Sequence, residues 1–93
     1  MVHKSESVLN KELEDARHKV IVDGIYSHFK DSGKRYRVIG LGIQEATEKI
    51  CVIYKAEYNS ELVFIRDLDS WLEKTETDVK RFSLVEDDEH DEI

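Results

Sequence analysis

The run ICVIYKAEY, residues 50–58, decides the fold, because it is the longest β-branched and aromatic stretch in the chain. Such residues pack well on a pleated, half-buried surface, so the run predicts the central strand of a sheet. Working outward, NSE at 59–61 is a turn and LVFIR at 62–66 a further strand. On the other side, QEATEK at 44–49 is polar and turn-like. RYRVIGLGI at 35–43 sets Tyr36, Val38, Gly40 and Gly42 against Arg37, Ile39, Leu41 and Ile43. Two glycines on one face of a strand mark a bend, a bulge or a close backbone approach.

Farther out, DSGK at 31–34 predicts a turn with Gly33 at its positive-φ position, and IYSHFK at 25–30 the strand before it. After residue 66, DLDSWLEKTE carries a capping Asp67 or Asp69 and an apolar face of Leu68, Trp71 and Leu72, which gives one or two helical turns. KRFSLV at 80–85 is a short closing strand. At the other end, Leu9, Leu13, Ala16 and Val20 recur at helical spacing. Ser7 is the expected N-cap of that helix, and Gly24 in Asp23–Gly24 its expected left-handed stop. The stripe must pack on something: the domain's own body, a partner or a second copy. These elements predict a mainly β fold, a small and strongly bent antiparallel barrel of about five strands. An N-terminal helix and lead-in (1–23) precede the barrel domain (24–85), and a charged tail (86–93) follows it.

The chain has 93 residues, enough for one domain with a modest core. All eight aromatic residues lie between 26 and 82, which locates that core. The net charge of −7 is unevenly spread. Residues 24–82 are neutral, whereas EDDEHDEI at 86–93 holds six acids and is expected to be disordered. A neutral domain carries no strong electrostatic footprint for nucleic acid, although KRYR at 34–37 is a small basic cluster that leaves weak binding open. The single cysteine, Cys51, allows no intrachain disulfide and reads as a buried small hydrophobe. The N-terminus has no apolar signal-peptide core, and no window approaches a membrane span. The chain is therefore expected in the cytoplasm, with no membrane partner.

No catalytic constellation is readable. The four histidines are scattered through different segments and there is no cysteine pair, so no metal site is expected. There is no Gly-rich loop with Lys-Ser/Thr, and no cofactor is expected. What stands out is GIYSHFK, 24–30. If it is a strand, Tyr26, His28 and Lys30 share one face and Ile25, Ser27 and Phe29 the other. Tyr36, Arg37 and Arg66 are possible neighbours. In such a site the tyrosines stack, the cations contact an anionic group, and His28 makes a directional hydrogen bond. The competing assignments are plain. Most aromatics of a small barrel are core, a lone histidine is bonded to a neighbouring loop, and Arg66 pairs with Asp67 or Asp69. The reading is a non-catalytic binding module for a peptide or anionic group, monomeric or weakly dimeric. The alternatives are an enzyme or enzyme accessory domain using His28, and docking or oligomerisation through the helix stripe.

Taken in order, GIYSHFK, YRVIG, CVIYKAEY, FIRDLDSWLEK and KRF resemble the bacterial family catalogued as domain of unknown function 1653. That family shows G-x-Y-x-H-Y-K-G, Y-x-V-x-G, a V-V-Y strand, V-R-P before a short helix with an aromatic, and a closing R-F. The resemblance spans residues 24–82 and implies a fold similar to SH3-type barrels, with no established activity. The chain departs from the pattern in GIQEAT, 42–47, where the family resembles A-R-H-S-E-T. Gln44 stands where His is common, Ala46 where Glu is common, and only Thr47 stays. Asp67 and Lys80 replace two prolines.

Overall fold

The structure is a computed structural model and describes residues 3–85. The charged tail lies outside the described residues. In chain order the elements are α1 (Glu6–Arg17), β1 (Ile25–His28), β2 (Asp31–Gln44), β3 (Lys49–Ala56), β4 (Val63–Asp67), α2 (Leu68–Trp71) and β5 (Phe82–Leu84). The strands form one antiparallel sheet in the order β4-β3-β2-β1-β5. Among the described residues, no helix is long and apolar enough to cross a membrane.

The mainly β class, the five strands and both helices agree with the sequence reading. The closed barrel does not, because β4 and β5 are the two open edges of the sheet. The sheet nevertheless curls strongly. In a flat sheet β3 and β5, three strand spacings apart, would be separated by about 14 Å. Yet the rings of Tyr54 on β3 and Phe82 on β5 are 5.7 Å apart, and the Arg66 guanidinium on β4 lies 5.1 Å from the Phe82 ring. The long strand β2 does the bending. Asp31 and residues 35–37 pair with β1, across a register shift between Ser27 and His28, and residues 36–44 except Ile39 pair with β3, so only Tyr36 and Arg37 pair on both sides.

A bulge between Val38 and Gly40 inserts Ile39, which is exposed. The bulge resets the alternation. Tyr36 and Val38 share the concave face with Leu41 and Ile43, while Arg37, Gly40 and Gly42 share the convex one. The unbroken alternation expected from sequence is corrected here, since an extra residue flips every later side chain. The glycines flank the bulge without a positive φ.

Three local expectations also shift. Ser5, not Ser7, caps α1, its hydroxyl accepting from the Val8 N–H at 3.2 Å. The helix ends at Arg17, six residues before Asp23, and Asp23 rather than Gly24 takes the left-handed conformation, at φ 73°. Asp tolerates that region because its short polar side chain bonds locally; here Asp23 Oδ1 accepts from Arg37 Nη1 at 2.9 Å. The first hairpin turns at Phe29–Lys30, since His28 pairs with Asp31, and Gly33 lies within β2 with no positive φ.

The core fills the concave face. Val20, Tyr26, Val38, Val52, Tyr54, Trp71 and Phe82 form one buried cluster. The stripe on α1 packs against this body: Ala16 and Val20 are fully buried, and Leu9 and Leu13 half-buried. A four-residue helix has no stability of its own. What holds α2 is Trp71, which stacks on Phe82 with centroids 3.9 Å apart and planes 3° from parallel.

Cys51 is 3% exposed. Its Sγ contacts Asp67 Oδ1 at 3.5 Å, and burial, then Asp67, push the thiol above its ordinary pKa. At pH 8 the native protein is expected to react with a disulfide reagent at least about tenfold more slowly than the urea-unfolded chain, because the thiolate is the reacting species. Equal rates would place Cys51 at the surface.

Candidate functional site

In antiparallel pairs, directly opposed residues share a face. Tyr26 opposes Tyr36, Tyr54 opposes Phe64, Val52 opposes Arg66 and His28 opposes Phe82. The concave face therefore carries Tyr26 and His28 from β1, Tyr36 from β2, Tyr54 from β3, Phe64 and Arg66 from β4, and Phe82 from β5. At one end of this face a cavity of about 250 Å³ opens, lined by His28, Tyr36, Tyr54, Phe64, Arg66 and Phe82.

The six residues singled out in the sequence part company here. His28, Tyr36 and Arg66 meet in this cavity. Tyr26 does share their face, but it is core: it is buried, meets the Trp71 ring edge-on at 5.2 Å, and its hydroxyl accepts from the Ile21 N–H at 3.0 Å. Lys30 lies beyond the strand end in the turn, exposed, with its ammonium 5.9 Å from the Phe29 ring. Arg37 points to the convex face, where its guanidinium is paired with Asp23 at 2.9 Å and Glu57 at 3.1 Å. The row in GIYSHFK is thus the inward face of β1, and only His28 of its three members reaches the cavity. Tyr54, Phe64 and Phe82 are additional lining residues. The i, i+2 spacing of Phe64 and Arg66 was the available signal for Phe64.

Arg66 holds an unusual position for an arginine. Among the described residues its only side-chain hydrogen bond is from Nη1 to Ser70 Oγ, at 3.1 Å. Among the described residues no carboxylate lies within ion-pair distance of it: of the two expected partners, Asp67 lies 3.9 Å from Lys49 instead and Asp69 does not pair with it. Arg81, by contrast, pairs with Glu73 at 3.0 Å. The guanidinium rests over the Phe82 ring, a cation–π contact that orients it without neutralising it.

His28 sits at the rim, edge-on to Phe82 at 4.9 Å. Its Nδ1 accepts from the Lys30 N–H at 3.2 Å. That bond assigns the proton of the neutral ring to Nε2, leaving a second donor beside Arg66. Burial first, then the charges of Arg66, Arg81 and Lys30, hold its pKa below 6.5. The Tyr36 ring meets Tyr54 and Tyr58 edge-on at 5.6 and 5.9 Å. Burial, and secondly the Tyr58 hydroxyl, push its pKa up to about 12. Tyr36 thus stays protonated at neutral pH and is a poor general acid there.

The lining holds a cation with no counter-charge, imidazole and phenol donors, and aromatic walls, but no carboxylate, thiol or amine. Among the described residues, no group of three or more metal-ligating side chains is assembled. A groove between α1, β3 and α2 is lined by charges of both signs: Lys4 pairs with Glu12 and Lys49 with Asp67, while Lys19 and Asp69 make no ion pair among the described residues.

The His28 arrangement carries a pH prediction. A histidine whose folded pKa is lowered binds fewer protons in the folded than in the unfolded state just below pH 6.5. Stability is therefore expected to fall as pH drops through 6.5, and to level off below the folded pKa. In His28→Asn this component of the acid loss should disappear. Thermal melts between pH 7.5 and 5 check it, and an identical acid profile in the variant would contradict it.

Comparison with known proteins bears on the same region. The sequence model of the family described as "Protein of unknown function (DUF1653)" matches residues 24–84. A crystal structure of a DUF1653 protein from Bordetella bronchiseptica is similar at 28% sequence identity, with a TM-score of 0.57, over 72% of this chain and 90% of that one. No curated protein matches.

Proposed function

The chain belongs to the DUF1653 family of proteins of unknown function, and we propose, on the geometry of the concave cavity, that it is a small non-catalytic binding module for an anionic group carried on an apolar body. The observation that carries this reading is Arg66, held on an aromatic face with no carboxylate partner among the described residues. A carboxylate or phosphate fits the fork of the guanidinium, and the Nε2–H of His28 adds a second donor from across the cavity. Phe64, Phe82 and Tyr36 supply flat apolar walls for the group that carries the charge. At about 250 Å³ the cavity is smaller than the ~300–1,000 Å³ of most small-molecule sites, so it suits one side-chain-sized group better than a cofactor.

Amide NMR titration of the 15N-labelled protein tests this, with separate pools of short acidic peptides, nucleotides and single-stranded oligonucleotides. Shifts are expected around residues 28, 36, 54, 64, 66 and 82 with the first two pools. Shifts confined to residues 34–37 with oligonucleotides would move the reading to nucleic acid, and no shifts with any pool would overturn it.

A further inference from the structure

We propose that the open edge of β4 receives an extended peptide segment as a sixth strand, with an acidic side chain of that segment entering the cavity at Arg66. This rests on the reading of the cavity as an anion site and names the partner class for it.

The Ala56 N–H donates to the Leu62 carbonyl at 3.0 Å, so Leu62 and Ala56 are a hydrogen-bonded pair of the β3–β4 ladder. Hydrogen-bonded and non-hydrogen-bonded pairs alternate along an antiparallel ladder. Phe64 and Arg66, opposite Tyr54 and Val52, are then bonded to β3, while Val63 and Ile65, opposite Lys55 and Ile53, turn their N–H and C=O groups to the open edge. Two residues thus present four backbone groups without strand partners among the described residues.

Natural edges are blunted by shortness, Pro, charged side chains, bulges or inward-pointing charges. β4 has no Pro, Lys or bulge, and its register with β3 is unbroken; its charges are Arg66, which points inward to the cavity, and Asp67 at its end, while Val63, Phe64 and Ile65 are apolar. Val63 is 50% exposed and Ile65 68%. β5, the other edge, has only three residues.

Strand addition takes affinity from main-chain bonds and specificity from pockets for alternate side chains. β4 supplies both, since Phe64 and Arg66 lie on the face that lines the cavity while Val63 and Ile65 hold the edge. A side chain of the added strand on that face comes within about 5 Å of its neighbour on β4. Opposite Arg66 the complementary residue is Asp or Glu. A second copy of the chain fits less well. Five residues of edge fall well short of the ~1,200–2,000 Å² that a stable dimer buries. A register centred on Phe64 also sets Glu61 against Asp67 of the second copy.

The test uses the full 15N-labelled chain with two pools of capped hexapeptides, one alternating valine with glutamate and one alternating valine with lysine. With the glutamate pool, the Val63 and Ile65 amides are expected to exchange at least about fivefold more slowly with solvent. Phe64 should be unchanged and the His28 and Arg66 signals should shift. The lysine pool, and glutamate peptides N-methylated at alternate positions, should give none of this. Shifts at His28 and Arg66 with unprotected Val63 and Ile65 would overturn strand addition and leave the anion site standing. Equal protection by both pools with no shift at Arg66 would overturn the acidic anchor and the anion site together. Protection that grows with protein concentration alone, without peptide, would replace the peptide by a second copy and overturn the proposal.

Discussion

Replacing Trp71 by alanine is expected to destabilise the protein by about 3–5 kcal/mol, the range for deleting a large buried aromatic. A domain of this size holds only about 5–15 kcal/mol in total, so the variant should sit near the edge of folding at 37 °C. Trp71 is 2% exposed and touches three core rings: Phe82 stacked at 3.9 Å, Tyr54 at 4.9 Å and Tyr26 at 5.2 Å. It is also what pins the single turn of α2 to the sheet, so its loss frees the connection to β5 as well. In thermal melts the midpoint should drop by about 12–40 °C, at roughly 4–8 °C per kcal/mol for a chain of this length. Ile65→Thr, on the exposed side of β4, serves as the control and should stay within about 0.5 kcal/mol. Comparable midpoints for Trp71→Ala and Ile65→Thr would contradict the packing described.

The second large effect concerns binding. Arg66→Gln is expected to weaken binding of benzoate or phenyl phosphate about 10- to 100-fold, since hydrogen bonds to charged groups contribute roughly 1.5–3 kcal/mol. Stability should fall by no more than about 1–2 kcal/mol, because the side chain gives up one hydrogen bond, to Ser70, and its cation–π contact with Phe82, and breaks no ion pair among the described residues. Arg66→Lys keeps the charge but loses the planar fork, and should fall between the two. Arg37→Gln is the informative contrast. That guanidinium is bound by two carboxylates on the opposite face, so anion affinity should be unchanged. Calorimetric titration of the four proteins separates these cases. Equal losses in the Arg66 and Arg37 variants would show a diffuse charge effect and no site.

Much of the fold was legible because its signals are local. ICVIYKAEY is β-branched and aromatic enough to read as the central strand, and the turn chemistry around it sets the neighbours. The helix stripe gave the buried face of α1, with Ala16 and Val20 inside as spaced. What failed was whatever depends on pairing. Ile39 is a bulge only because β3 opposes Val38 and Gly40 with consecutive residues, and nothing in RYRVIGLGI says which residue is the extra one. Closure of the barrel is a property of the β4–β5 edge, which no single segment encodes.

The site shows the same division. His28, Tyr36 and Arg66 were chosen for their chemistry and do converge, but they come from three different strands. Arg37 has an equally suitable side chain and was excluded by which way its strand faces, whereas Tyr26 shares the concave face but is buried in the core with its hydroxyl bonded to the Ile21 N–H. Alternation groups residues into two faces without saying which is inward. For β1 the inward face is the one bearing the tyrosine and the histidine, while Phe29 and Lys30 lie past the strand end in the turn.

The most direct test of the central claim is a crystal structure of the protein grown with benzoate. The account predicts the carboxylate about 3 Å from both the Arg66 guanidinium and His28 Nε2, with its ring against Phe64 and Phe82. Benzoate bound only along Lys34, Arg35 and Arg37, with the cavity filled by a rotated Arg66 paired to an acidic side chain of the same chain, would contradict it.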